Sequence, residues 1–299
     1  MNIDEILDTF HIDDLESREK VKFIINNDTF SSNKILFGYN LNTVRDLYKD
    51  TKEAKSSIKD DGTLFIEKIY LNLCTLGILI DKGSGETDQG IVYDFNAICT
   101  ISRNIAETIA QFNIIFTKSK NEDEVKFNLL LLKYSYTFQR FKLFDDKQES
   151  NQPYKLPAKK ELEIIDNEIR THKIFKPNFK YKQVHKFNYV HNGRFYSSSL
   201  SDLIDGIISE YKIFSDYKPK FYKFLSNESH TTIGVLDYFK YFPTAERVEN
   251  GINRVIDIVF QYLKCLYASM SKYYNVEGNR HFALLQVIYH IKNKKDIVV

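Results

Sequence analysis

A chain of 299 residues with 42 Lys+Arg against 40 Asp+Glu, 43% hydrophobic and 27% charged, has the composition of an ordinary globular protein. The length suggests one large domain or two small ones, and folding at this size buries roughly 75% of the unfolded surface, so no metal or disulfide is needed for stability. Three cysteines, Cys74, Cys99 and Cys265, are an odd number set in apolar runs, which reads as reduced thiols in a cytoplasmic protein.

The chain starts with Met1 to Glu16, which holds six acids and no Lys or Arg, with Ile3, Ile6, Leu7 and Phe10 at helical spacing. Such a start is the opposite of a signal peptide, and no window reaches 18 uncharged apolar residues, so neither secretion nor membrane spanning is expected. The acidic arm is instead expected to dock on a basic surface, in this chain or a neighbour. Asn42 or Thr43 predicts the cap of a solvated helix reaching about Ser57, and Asp60-Asp61-Gly62 a break before an apolar helix from Leu64 to Ile80. Asp81 to Gly90 reads as a loop. Its glycines match no phosphate-binding spacing, and its acids would repel phosphate.

Phe95 to about Lys118 and Glu122 to about Phe144 predict two long helices separated by Ser119-Lys120-Asn121. The first carries thirteen apolar residues among the 23 between Asp94 and Lys118, with Arg103 and Glu107 as its only charges. Apolar residues on all sides mark a buried helix. Two charges there need partners, and an Arg one turn before its acid supplies only the weaker i,i+4 orientation, so a third polar group is expected.

A polar run from Asp145 to Lys155 reads as a linker, followed by a short charged helix from about Ala158 to Thr171. Between Val184 and Tyr196 the pattern alternates around Asn192-Gly193, the strongest short β-hairpin signal. From Lys173 to Arg194 there is no acid, and bases interleave with Phe175, Phe179, Tyr181, Phe187 and Tyr189. Basic residues beside aromatics suit phosphate contact and base stacking, which makes Lys176, Lys180, Lys182, Lys186 and Arg194 candidate nucleic-acid contacts. A solvated lysine face on an amphipathic hairpin gives the same pattern. Helical periodicity returns over Leu200 to Tyr211, Lys218 to about Glu228, Ala245 to about Tyr274 and Arg280 to Lys294.

On the helix near Lys218 to Glu228, Tyr222, Ser226 and His230 are spaced i, i+4, i+8 and share one face. Neither His185 with His191 nor His281 with His290 has metal-ligand spacing, and no metal or cofactor is expected. Four segments follow: an acidic arm and lead-in (1–40), a first half of a helical core (41–146), a linker, short helix and basic hairpin insert (147–198), and a second half of the core (199–299). The fold class is mainly α, a helical bundle with an inserted hairpin.

The Ser-Arg103-Asn-Ile-Ala-Glu107 helix and the Tyr222-x-x-x-Ser226-x-x-x-His230 helix, downstream of Ser199 to Ile204, resemble a bacterial family of helical proteins of unassigned function. That family is similar in look to the HEPN class of helical ribonucleases and defence proteins. The resemblance covers roughly residues 90 to 145 and 196 to 240. It implies an all-helical cytoplasmic protein, and it implies Arg103, Glu107, Ser226 and His230 as site residues. The usual Arg and His pair a few residues apart on one helix is absent. Two function classes are expected: a non-catalytic binding or interaction module with an RNA or protein partner and a tendency to self-associate, or a metal-independent ribonuclease. In the second, His230 moves a proton and Arg103 stabilises charge on phosphorus.

Overall fold

The computed structural model of the chain describes residues 3–27, 29–53, 57–83, 85–87, 90–143, 152–183, 186–197, 200–210, 220–229, 245–274, 284–285, 287–288 and 291. Its described elements are α1 (Ile3–Thr9), α2 (Leu15–Asn26), α3 (Phe30–Glu53), α4 (Ser57–Lys82), β1 (Gly85–Thr87), β2 (Gly90–Val92), α5 (Phe95–Phe112), a π-helical turn (Asn113–Thr117), α6 (Glu122–Leu143), α7 (Gln152–Thr171), β3 (Tyr189–His191), β4 (Arg194–Tyr196), α8 (Leu200–Glu210), α9 (Phe221–Ser229) and α10 (Ala245–Tyr274). The protein is mainly α, with two small antiparallel hairpins. The chain divides into two compact units, residues 1–109 with 208–299, and residues 110–207.

In the first unit two acids of α1, Asp4 and Asp8, are neutralised locally. Arg18 donates to Asp8 at 2.7 Å and to Asp4 at 3.3 Å, and Lys22 pairs with Asp4 at 2.9 Å. Leu7 is fully buried, so the arm is a short packed helix held by bases from α2. Helix α3 begins twelve residues before the expected cap. Thr29 and Ser32 bond each other reciprocally, each backbone N–H to the other's hydroxyl at 3.0 and 3.2 Å, and satisfy the first free N–H groups of the helix. Thr43 lies well inside α3, its hydroxyl turned back onto the Tyr39 carbonyl at 2.9 Å.

Asp60-Asp61-Gly62 likewise falls inside α4. The tertiary gain from laying α4 along α3 outweighs the roughly 1 kcal/mol a mid-helix glycine costs. The two helices run antiparallel: Thr63 bonds Thr51, Tyr70 stacks on Tyr48 with centroids 6.1 Å apart, and Asp81 pairs with Lys34 at 3.0 Å. At Gly77 the approach is close enough that an added Cβ would stand 3.2 Å from the Phe37 ring.

The segment after α4, expected as a loop, contains the β1–β2 hairpin, with Gly85 opposite Val92. Helix α10 spans the residues its periodicity predicts and packs along α3 in the same direction, through Asn253 with Asn33, Phe260 with Phe37 and Tyr267 with Asn40.

The second unit is built on α6 and α7. Its core joins Phe127, Leu131 and Tyr134 of α6 to Ile165 and Ile169 of α7, closed by Tyr181 and Val190. The described part of the expected linker, Gln152 to Lys155, is already α7, and Pro157 sits within that helix. From His172 to Gln183 the chain makes single turns, Phe175 N–H to the His172 carbonyl, Phe179 to Lys176 and Gln183 to Lys180. The β3–β4 hairpin therefore occupies only Tyr189 to Tyr196. Asn192 and Gly193 both take positive φ, 51° and 67°, as a type I′ turn requires. Of the expected last helix from Arg280, Leu284, Leu285, Val287, Ile288 and Ile291 are described and helical; its other residues, His230, His185, His281, His290 and most of the linker lie outside the described residues.

Candidate functional site

Every residue from Ile105 to Thr117 is buried, as the apolar pattern demands, and Arg103 sits at the edge of that stretch with 26% of its side chain exposed. Its Nε donates to Glu107 Oε1 at 3.0 Å and to Tyr222 Oη at 3.0 Å, and Tyr222 Oη donates to the same carboxylate oxygen at 2.8 Å. The expected third polar group is thus Tyr222. Helix α9 lies antiparallel on α5, since Asn96 also bonds the Glu228 carbonyl at 3.3 Å.

Burial and the hydrogen bond to Glu107 push the Tyr222 phenol well above its ordinary range. Burial works against the charge on Arg103, but Tyr222 and Glu107 outweigh it and hold the guanidinium more firmly protonated. Glu107 Oε1 is thus engaged from two sides. Ser226, one turn beyond Tyr222, is half-buried, and its carbonyl accepts the Ser229 hydroxyl at 2.9 Å. Arg103, Glu107 and the first residue of the Tyr-Ser-His face meet, and His230 lies outside the described residues.

The basic segment belongs to the second unit. Its lysines divide into distinct environments. Lys173 pairs with Asp123 at 2.5 Å, Lys182 with Asp166 at 3.4 Å, and Lys186 stands over the Phe187 ring at 5.2 Å. Arg194 is exposed on β4, opposite His191.

Lys176 and Lys180 are exposed, form no ion pair with a described residue, and stand on the rim of a cavity of about 410 Å³. Phe127, Ile174, Phe179, Val190 and Phe195 give it an apolar lining, and Asn178, Gln183 and Gly193 add polar groups. Phe179 and Phe195 meet edge to face, 4.0 Å between centroids. The volume falls within the range of small-ligand sites, roughly 300 to 1,000 Å³. Among the described residues the lining has no carboxylate, imidazole, thiol or hydroxyl side chain. The other aromatics singled out in the sequence mostly face inward: Tyr181, Phe187 and Tyr189 are buried.

Two residues outside the cavity lining hold Val190 and Gly193 of its wall, and neither is singled out in the sequence. Asn128 of α6, buried, accepts the Val190 N–H at 2.7 Å and donates to the Val190 carbonyl at 3.0 Å, completing β3 as a neighbouring strand would. Glu124, also buried, accepts the Gly193 N–H at 3.0 Å and the Lys120 N–H at 2.8 Å. The signal available for Glu124 is Asn121-x-x-Glu124, a helix-capping spacing, and Asn121 does accept the Glu124 N–H at 3.1 Å. Nothing in that spacing indicates that the same carboxylate grips a turn 69 residues later.

No family model, curated protein or solved structure matches the chain. Among the described residues no group of three His, Cys, Asp or Glu side chains could hold a metal ion.

Proposed function

We propose that the chain is a non-catalytic binding module that takes single-stranded RNA on its second unit, one base entering the Phe179–Phe195 cavity while Lys176 and Lys180 hold the flanking phosphates. The observation that carries this reading is the cavity itself: two exposed lysines without acidic partners at the rim of an aromatic pocket. Aromatic faces stack on any base, and lysines contact phosphate without reading sequence, so the expected binding is sequence-tolerant. Beside the two exposed lysines the described lining offers no carboxylate, imidazole, thiol or hydroxyl side chain to act with them, which supports binding over turnover.

The Arg103–Glu107–Tyr222 cluster is the competing place for chemistry. Its geometry favours a structural role, because its carboxylate and phenol satisfy each other and the Arg103 Nε.

Fluorescence anisotropy with a labelled single-stranded RNA over a salt series tests the reading. The log–log slope should be about −0.7 per phosphate contacted, and Lys176→Gln with Lys180→Gln should make it shallower by about 1.4. Phe195→Ala should weaken affinity with the slope unchanged, by about 1 to 3 kcal/mol of lost stacking. Binding that is insensitive to salt, or untouched by the double lysine variant, contradicts the proposal. Equal binding of single-stranded DNA would broaden the ligand class and remove RNA from it as the distinguishing partner.

A further inference from the structure

Helix α4 is two-faced in an unusual way. One face, with Ile66, Ile69, Leu73, Leu76 and Ile80 fully or almost fully buried, packs within the unit. On the other face Leu64, Leu71 and Ile78 are 61%, 57% and 57% exposed, spaced at seven-residue intervals. Lys68 and Thr75 fall between them and Lys82 follows, which gives the alternating four- and three-residue steps of a coiled-coil seam. The half-buried Phe65 and Leu79 broaden the stripe, and the exposed Ile91 of β2 continues it, its side chain lying against Gly83 just past the end of α4.

We infer that this stripe pairs with the same stripe of a second copy of the chain, the two α4 helices antiparallel across a two-fold axis at Leu71. Charge decides the direction. A parallel pair would set Lys68 against Lys68 and Lys82 against Lys82 in the seam. In the antiparallel pair Leu64 meets the partner's Ile78, Leu71 meets the partner's Leu71, Lys68 faces the partner's Thr75, and Lys82 comes to Asp61 at the partner's N-terminal end. An isologous interface of this kind repeats every favourable contact twice.

Asp61–Lys82 is also long and apolar enough to cross a membrane. However, its opposite face is committed to α3, and Glu67 and Lys68 interrupt its N-terminal half. A seam of this length, about 32 Å, buries an area near the low end of specific interfaces, so dimerisation in the micromolar range is expected.

Sedimentation velocity of the full chain from about 1 to 200 µM should show a reversible monomer–dimer equilibrium, and Leu71→Lys should weaken it at least tenfold while its melting curve stays near that of the parent. Orientation is read by oxidative cross-linking in a Cys74→Ala background. Leu71→Cys should form a covalent dimer. Leu64→Cys and Ile78→Cys should not do so singly, because each lies about 21 Å from its own copy, but should cross-link when mixed. A chain that stays monomeric throughout, cross-linking of Leu64→Cys to itself, or partition of the intact chain into phosphatidylcholine–phosphatidylglycerol vesicles would each overturn the inference.

Discussion

Two tyrosines close the same kind of cluster in the two units. Tyr222 joins Arg103 and Glu107, and Tyr181 joins Arg170 and Asp166: in each case an Arg and an acid one helical turn apart share a phenol from outside their own helix, more than a hundred residues away for Tyr222 but just past the helix end for Tyr181. Burial separates them. The Glu107 side chain is 11% exposed, whereas that of Asp166 is 24% exposed and also meets Lys182. Burial disfavours the Asp166 charge, but Tyr181, Lys182 and Arg170 together hold its carboxyl below the usual carboxylate range. Tyr222→Phe should therefore cost about 1 to 3 kcal/mol in urea denaturation, because a buried carboxylate oxygen loses a donor. Tyr181→Phe should cost less than about 1 kcal/mol, since solvent and two cations remain beside Asp166. Equal costs would contradict this ranking. The sequence announced Arg103 and Glu107 through their isolation in an apolar helix. It gave no comparable sign for Asp166 and Arg170, which sit on a charged helix where such pairs are ordinary.

Among the elements, those with strong local signals were legible. Asn192-Gly193 forms the turn it should, and α10 spans the residues its periodicity predicts, with Ile258 to Leu263 buried on every side. Where local and tertiary preferences conflict, reading failed. Asp60-Asp61-Gly62 looks like a break but stays helical because α4 is laid on α3, and the true cap of α3, Thr29 with Ser32, lies twelve residues or so before the apparent one. The candidate RNA surface was half legible. Its charge and aromatics stand out in sequence, but which lysines are engaged by Asp123 and Asp166 depends on the fold of the second unit.

On α10, Lys264 is a polar residue set among buried neighbours, its ammonium donating to Gln261 at 3.2 Å, and burial lowers its pKa to about 8. The unfolded chain binds that proton more tightly, so between about pH 8 and 10.5 unfolding takes up protons and stability rises with pH. Lys264→Met should thus be more stable than the parent at pH 7, by on the order of 2 to 3 kcal/mol, and the advantage should fade toward pH 10. A pH-independent difference between the two proteins would show that the ammonium is not what burial penalises.

At the scale of the whole molecule, 42 basic residues are nearly balanced by 40 acidic ones, so the net field is weak and any steep salt dependence must come from a local cluster. The acid-free stretch from Lys173 to Arg194 is such a cluster, and it belongs to the unit that holds the cavity. The Arg103 cluster and the α4 stripe belong to the other unit. The proposed RNA site and the inferred dimer stripe therefore lie in different units, and Leu71→Lys should leave the affinity of one chain for a short RNA within about twofold of the parent. The proposed RNA site is tested most directly by photo-cross-linking with a 4-thiouridine-substituted single strand, followed by mass-spectrometric mapping of the attached peptides. Adducts should concentrate on Ile174 to Gln183 and on Gly193 to Tyr196, and adducts confined to α5 and α9 around Arg103 and Tyr222 would contradict the account.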